Sequence, residues 1–249
     1  MTSRERLLWL AGRVFHLIPA RTPMPVFSGM NKGLRWFRGA ANAPEWMGFY
    51  ESEKQRALKE VVRPGMTVYD IGANAGFYTL GLSRMVGETG KVLSFEPLGK
   101  NVEKLLRHIA LNRLTNIEVL QLAVAANNGL MSFDVGASDF QGRINSNSVG
   151  KYRVPTLQLD SAINDGNLPP PDFLKIDVEG GESQVLEGLT AYLERAHPII
   201  FLALHGNEQK HLCHSYLTRL SYSVKDFAGT EILEAQQMPD EVIARARHE

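Results

Sequence analysis

The chain has 249 residues, 44% of them hydrophobic and 22% charged, the composition of an ordinary globular protein with one large domain or a domain and an appendage. Its 27 basic side chains balance 27 acidic ones, so no global field exists for gripping nucleic acid. Cys213 is the only cysteine, which excludes an intrachain disulfide and a cysteine-based zinc site and fits a reducing, cytoplasmic setting.

In chain order, residues 1–19 carry Arg4, Arg6, Arg13, Trp9 and Phe15 around the apolar run Leu7-Leu8-Trp9-Leu10. Arg13 and His16 stop that run far short of the roughly 20 residues that span a bilayer. The segment is predicted as an amphipathic helix capable of weak contact with a membrane surface. A Pro-rich link (Pro19, Pro23, Pro25) follows, then the aromatics Trp36, Phe37, Trp46, Phe49 and Tyr50, with Trp36 and Trp46 expected in the core rather than against a sugar ring. Residues 51–62 read as a helix ending before the turn at Pro64-Gly65. Residues 1–63 are therefore expected to be an N-terminal helical extension packed on a main domain at 64–249.

From residue 67 the pattern alternates: strand 67–71, helix 77–86, strand 91–96, helix 100–112, strand 117–121. Such alternation predicts an α/β fold with a mostly parallel sheet. Residues 123–125, 130–135 and 152–157 read as short extended pieces. Asn127-Asn128-Gly129 is a hairpin signal between the first two, giving a small β-hairpin insertion. Residues 136–150, rich in Gly, Ser and Asn, read as a loop or lid. The alternation resumes with strand 172–177, helix 182–195, strand 198–204 and helix 208–220. Strands near 222–227 and 231–234 are predicted to form an antiparallel edge. No internal repeat is visible.

The stretch Val68-Tyr69-Asp70-Ile71-Gly72-Ala73-Asn74-Ala75-Gly76 carries the most chemistry. Its glycines sit where a chain turns tightly under a ligand, and the following helix offers unpaired N–H groups to an anionic group. A dinucleotide fingerprint needs glycines where this chain has Asn74 and Phe77, so a nicotinamide cofactor is disfavoured. The D-x-G-x-N-x-G form is instead that of S-adenosylmethionine (SAM) methyltransferases. Glu96 ends the next strand, where doubly wound folds place an acceptor for ribose hydroxyls.

Three motifs together, Val68 to Leu80, Ser94-Phe95-Glu96-Pro97 and Phe173-Leu174-Lys175-Ile176-Asp177-Val178-Glu179-Gly180-Gly181-Glu182, resemble the FkbM family of SAM-dependent methyltransferases. The similarity runs from about Glu51 to His205. It implies a class I, Rossmann-like methyltransferase fold and, in many members, O-methylation of hydroxyls on sugars, glycolipids or natural products. It also implies that Asp70, Gly72, Asn74 and Gly76 surround the methionine part of SAM and that Glu96 holds the ribose. Adenine would lie near Gln121, Leu122 and Ala123. Two departures are Gly181, where alanine is commoner, and Ala203, where many relatives carry an acidic residue.

Ligands in open α/β sheets bind beyond the carboxyl ends of the strands, where Asp177, Glu179 and His205 fall. These three are the expected catalytic residues, Asp177 near the sulfonium or the acceptor hydroxyl and His205 with a base's proton affinity near neutral pH. Capping or salt bridging is the alternative reading of Asp177, and Glu182 is expected to serve the helix dipole. His211 and His214 are expected on a helix surface. Asp177, Glu179 and His205 would suit magnesium or manganese, but their spacing is no recognised metal signature, so no metal is expected. The expected partner is a small-molecule or glycan acceptor and not a nucleic acid, since no Asp/Asn-Pro-Pro-Tyr motif ends the fourth strand. A non-catalytic SAM-binding scaffold is the reading from another class.

Overall fold

The computed structural model describes residues 18–40, 51–135, 142–144 and 152–247. The N-terminal amphipathic segment, Trp46, Phe49, Tyr50 and most of the 136–150 loop lie outside the described residues.

Among the described residues the first elements are a short antiparallel pair, β1 (Pro23–Pro25) and β2 (Arg35–Phe37), followed by helix α1 (Ser52–Val61). Trp36 is buried, as expected, and stacks on His108 at 3.9 Å. Leu58 and Val61 of α1 enter the same apolar cluster as Val68 and Phe173 of the sheet.

The main sheet then starts with β3 (Thr67–Ile71), α2 (Phe77–Val86), β4 (Lys91–Phe95), α3 (Gly99–Asn112) and β5 (Ile117–Leu120). After an insertion it continues with α4 (Leu159–Asn164), β10 (Phe173–Ile176), α5 (Glu182–Glu187), α6 (Thr190–Ala196), β11 (Ile199–Ala203), α7 (Asn207–Arg219), β12 (Tyr222–Lys225) and β13 (Glu241–Ala246). The seven strands stand in the order β12-β13-β11-β10-β3-β4-β5, with β11, β10, β3, β4 and β5 parallel and β13 antiparallel to its neighbours. The fold is that of a class I methyltransferase, a Rossmann-like sheet with an antiparallel edge.

Strand alternation explains the two cores. Tyr69, Ile71, Leu93, Phe95, Leu174 and Ile176 point to one face, while Val68, Val92 and Phe173 point to the other. Both faces are covered, so these strands read as nearly continuous apolar runs. Each fully buried large side chain contributes about 1.5–3 kcal/mol. One face carries an exception. Ser94, Asp70 and Lys175 lie in register across β4, β3 and β10, forming a buried polar row near the carboxyl ends of the strands.

Four expectations are corrected. Residues 182–195 form two helices, because Asp160 enters at the break, its carboxylate accepting the Ala191 and Tyr192 N–H groups at 2.8 and 2.9 Å and its own N–H donating to the Gly188 carbonyl at 2.8 Å. Residues 231–234 contribute only a bridge between Lys225 and Glu231. The edge is completed by β13, which slots between β11 and β12 with Val242 and Ala244 facing inward. The insertion is a four-stranded sheet rather than a hairpin, comprising β6 (Ala123–Val124), β7 (Gly129–Val135), β8 (Gly142–Ile144) and β9 (Tyr152–Leu157) in the order β6-β9-β7-β8. Because β9 separates β6 from β7, Asn127-Asn128-Gly129 closes no hairpin. Its polar groups meet β9 and its exit instead, Thr156 Oγ1 donating to the Asn127 carbonyl at 2.9 Å and the Gln158 N–H to Asn128 Oδ1 at 2.7 Å. Finally, His214 is buried beside the Ile232 carbonyl, whereas His211 is exposed. Among the described residues no helix is long and apolar enough to cross a membrane.

Candidate active site

The loop from Gly72 to Gly76 connects β3 to α2 at the open end of the sheet. Gly72 adopts φ 82°, and a Cβ there would lie 1.9 Å from the carbonyl oxygen of Asp177. Only glycine permits both that conformation and that approach. Asn74 also takes a left-handed conformation, φ 49°, and its Oδ1 accepts the Ala75 N–H at 2.7 Å. The loop is pinned from two sides. Glu96 Oε2 accepts the Asn74 N–H at 2.8 Å while its Oε1 accepts from Leu98 N–H at 3.0 Å and Asn101 Nδ2 at 3.2 Å. His108 Nδ1 meets the Ala75 carbonyl at 2.9 Å, and its Nε2 accepts the Phe37 N–H at 3.1 Å. Burial lowers the pKa of His108 to about 4, so the ring is neutral and its tautomer is fixed with the proton on Nδ1.

Beneath the loop, Asp70 is fully buried. Its carboxylate accepts Thr79 Oγ1 at 2.6 Å and pairs with Lys175 Nζ at 3.1 Å. Lys175 in turn donates to the Gly72 carbonyl at 3.0 Å and stands 3.6 Å from Asp177 Oδ2. Burial works against its cation, but Asp70 and then Asp177 raise its pKa to about 12. Lys175 therefore ties the loop to the end of β10.

Beyond β10 the side chains open toward solvent. His205 Nδ1 meets Glu182 Oε1 at 2.6 Å, while Nε2 faces Glu179 Oε2 at 3.6 Å and Asp177 Oδ1 at 3.8 Å. The hydrogen bond to Glu182 is the main cause of a raised His205 pKa. Burial opposes it, and Glu179 and Asp177 reinforce it. Burial would raise the Asp177 carboxyl, but Lys175, Lys54 and His205 hold it below its usual range. Glu179 adopts φ 56°, a left-handed backbone uncommon away from glycine and asparagine and often found at functional sites. Lys54 of α1 is buried between Glu51 and Glu241, and Tyr78 donates to Glu51, so the N-terminal helix closes one side of this end of the sheet.

The structure thus brings Asp177, Glu179 and His205 together, one ligand atom of each within 4.8 Å of the others, a set of oxygens and imidazole able to receive a divalent cation. Gly72, Asn74 and Gly76 form the loop, Glu96 lies behind it, and Ala123 follows β5 as buried backbone. Asp70 sits under the loop rather than on its surface. Sequence reasoning missed Lys175 as a hub, although a lysine inside an apolar strand demands a buried counter-charge. It also assigned Glu182 to a helix dipole, whereas this carboxylate points to His205.

The methyltransferase FkbM domain family matches residues 70–232, more than half of the chain. The hexuronic acid methyltransferase AglP of Haloferax volcanii is 25% identical over 199 residues, covering 80% of this chain and 78% of that protein. Among solved structures, methyltransferase FkbM from Methylobacillus flagellatus superposes with a TM-score of 0.50 at 18% identity, over 82% of this chain and 55% of that one. This chain therefore spans about half of that protein, and the likeness is one of fold. With the family match added to the loop and strand-end geometry, the chain belongs to the FkbM methyltransferases and is a SAM-dependent methyltransferase.

Proposed function

We propose that this enzyme methylates a hydroxyl of a sugar-containing acceptor, in a free sugar, a glycan or a glycolipid. The residues at the loop fit SAM. Gly72 lets the loop backbone close on the end of β10, where any side chain would strike the Asp177 carbonyl. Asp177 offers a partly exposed carboxylate to a cationic donor. Gly72, Asn74 and Gly76 would line its methionine part, with Asp70 setting the loop from below. Glu96 accepts three hydrogen bonds in this structure and retains lone-pair capacity for a ribose hydroxyl. Ala123 would lie against the adenine.

Bound SAM supplies a methyl group already activated on a sulfonium. The protein's part is to hold an acceptor oxygen in line, and orientation of this kind is worth roughly 7–11 kcal/mol in favourable cases. Asp177 and Glu179 would orient the acceptor hydroxyl by accepting hydrogen bonds. His205 would take its proton at Nε2, a contribution of about 10²–10⁴-fold. The observation that supports an oxygen acceptor is this grouping of two carboxylates and an imidazole directly beyond the donor loop. The hexuronic acid specificity named for the Haloferax relative adds a sugar to that reading.

The test is methyl transfer from labelled SAM to methyl glycosides of glucose, galactose and glucuronic acid and to a fractionated lysate. Label is expected in a glycoside or glycan fraction. His205→Ala is expected to lower turnover by about 10²–10⁴-fold while leaving S-adenosylhomocysteine affinity intact. Label confined to nucleic acid or protein would remove the sugar reading.

A further inference from the structure

We infer that Glu182 is the positioning residue of the acceptor site, presenting the Nε2 edge of His205 to the acceptor hydroxyl. The inference rests on the proposal that His205 receives the acceptor proton. Glu182 is fully buried, and among the described residues the cation within ion-pair reach of it is His205. A carboxylate removed from water without a lysine or arginine costs stability. A helix-dipole role would not need that cost, because a first-turn glutamate serves the dipole from the surface. The same Oε1 that meets His205 Nδ1 at 2.6 Å also accepts the Gly180 N–H at 3.0 Å. One oxygen therefore fixes the ring and the loop that carries Glu179.

The consequence is a defined tautomer. An ionised carboxylate can only accept, so the Nδ1 position must carry the proton. The other nitrogen, Nε2, ends no hydrogen bond among the described residues. Asp177 and Glu179 stand 3.8 and 3.6 Å away, beyond direct hydrogen-bond reach. A hydroxyl oxygen placed in that gap finds a ring nitrogen to accept its proton and two carboxylates to orient it. In the transfer the acceptor O–CH₃ bond forms as the S–CH₃ bond breaks, and the sulfur keeps the electron pair as a neutral thioether. The hydroxyl proton moves to Nε2, and Glu182 stands behind the imidazolium that results. That proton then leaves to water from the exposed part of the ring.

Glu182→Gln and Glu182→Asp in the full chain test this in two ways. Imidazole ¹⁵N spectra, taken where His205 is neutral, are expected to show the Nδ1-protonated tautomer in the parent and a population shifted toward Nε2–H in Glu182→Gln. With whichever glycoside accepts label, Glu182→Gln is expected to lower kcat at least tenfold at unchanged KM, Glu182→Asp less, and Glu182→Gln added to His205→Ala nothing further. Calorimetry with S-adenosylhomocysteine should be unaltered, showing an intact fold. An Nε2-protonated ring in the parent, or additive losses in the double variant, would overturn the inference. So would activity abolished by a chelator and restored by magnesium or manganese, since Nε2 would then belong to a metal. If His205→Ala alone keeps full activity while the parent ring holds the expected tautomer, the base assignment fails and the orientation by Glu182 stands.

Discussion

The two halves of the proposed site, a donor side and an acceptor side, are built on opposite plans. On the donor side, the loop from Gly72 to Gly76 is braced by Glu96, His108 and Lys175, all of them buried and hydrogen-bonded to loop backbone. On the acceptor side, Asp177, Glu179 and His205 are partly exposed and separated by gaps wider than a hydrogen bond. The donor is the same molecule in every turnover, so its cradle can be rigid and complete. An open cluster of a few polar groups would leave selection of the acceptor to surrounding segments, since loops on a rigid scaffold commonly carry specificity. Lys175 is the hinge between the plans, because it bonds the Gly72 carbonyl and faces both Asp70 and Asp177.

The largest expected effect breaks the comparison at that hinge. Lys175→Met leaves Asp70 buried with Thr79 as its only hydrogen-bond donor among the described residues and removes the brace under Gly72. Loss of one partner from a buried pair costs about 3–5 kcal/mol. Urea unfolding should show a destabilisation of that size, and calorimetry should show weakened S-adenosylhomocysteine binding. If binding fell while stability did not, Asp70 would be finding another partner. A double variant Asp70→Asn, Lys175→Met is expected to recover part of the stability, because no uncompensated charge remains.

How much of this was legible in the sequence follows the same division. Strands β3 and β4, the loop, Glu96 and the seats of Asp177 and His205 were readable because each is announced within a few neighbouring residues. Lys175 was not, since its loop partner Gly72 lies 103 positions away. Glu182 was misread because a glutamate opening a helix satisfies a local rule, and His205 is brought to it only by the parallel pairing of β10 with β11. The break at Gly188 depends on Asp160 arriving from α4 to cap the Ala191 and Tyr192 N–H groups. The edge strand β13 was missed because its weak alternation, Glu-Val-Ile-Ala-Arg-Ala, becomes a strand signal only when β11 and β12 offer open edges.

A smaller effect separates the halves by pH. In the folded state His108 stays neutral down to about pH 4, whereas an exposed histidine titrates near 6.5. Between those values the unfolded chain binds a proton that the folded chain refuses, so stability falls as pH falls from 6.5 toward 4. The integrated loss is on the order of 3 kcal/mol. His205 has the opposite sign. Its raised pKa adds stability that is fully present below 6.5 and is lost as pH rises through the folded value. Through these two rings, acid therefore loosens the His108 brace and alkali the contact of His205 with Glu182. Urea midpoints measured against pH should show both slopes, and His108→Gln should flatten only the acid one.

The smallest effect sharpens the donor side at one residue. Asn74 stands where a dinucleotide fingerprint has glycine. Its backbone nevertheless takes a glycine-like φ of 49°, and the side chain folds onto the loop to accept the Ala75 N–H. Asparagine is the ordinary residue best suited to that conformation, because its amide bonds locally. Asn74→Ala loses the hydrogen bond and strains the backbone, so about 1–2 kcal/mol of loop stability should go with it. Asn74→Gly loses the bond but relieves the strain, and should cost less than the alanine variant. Affinity for S-adenosylhomocysteine should follow the order asparagine, glycine, alanine. The reverse order of the last two would mean that the loop takes this conformation only without its ligand, and that the donor side is less preorganised than its hydrogen bonds suggest.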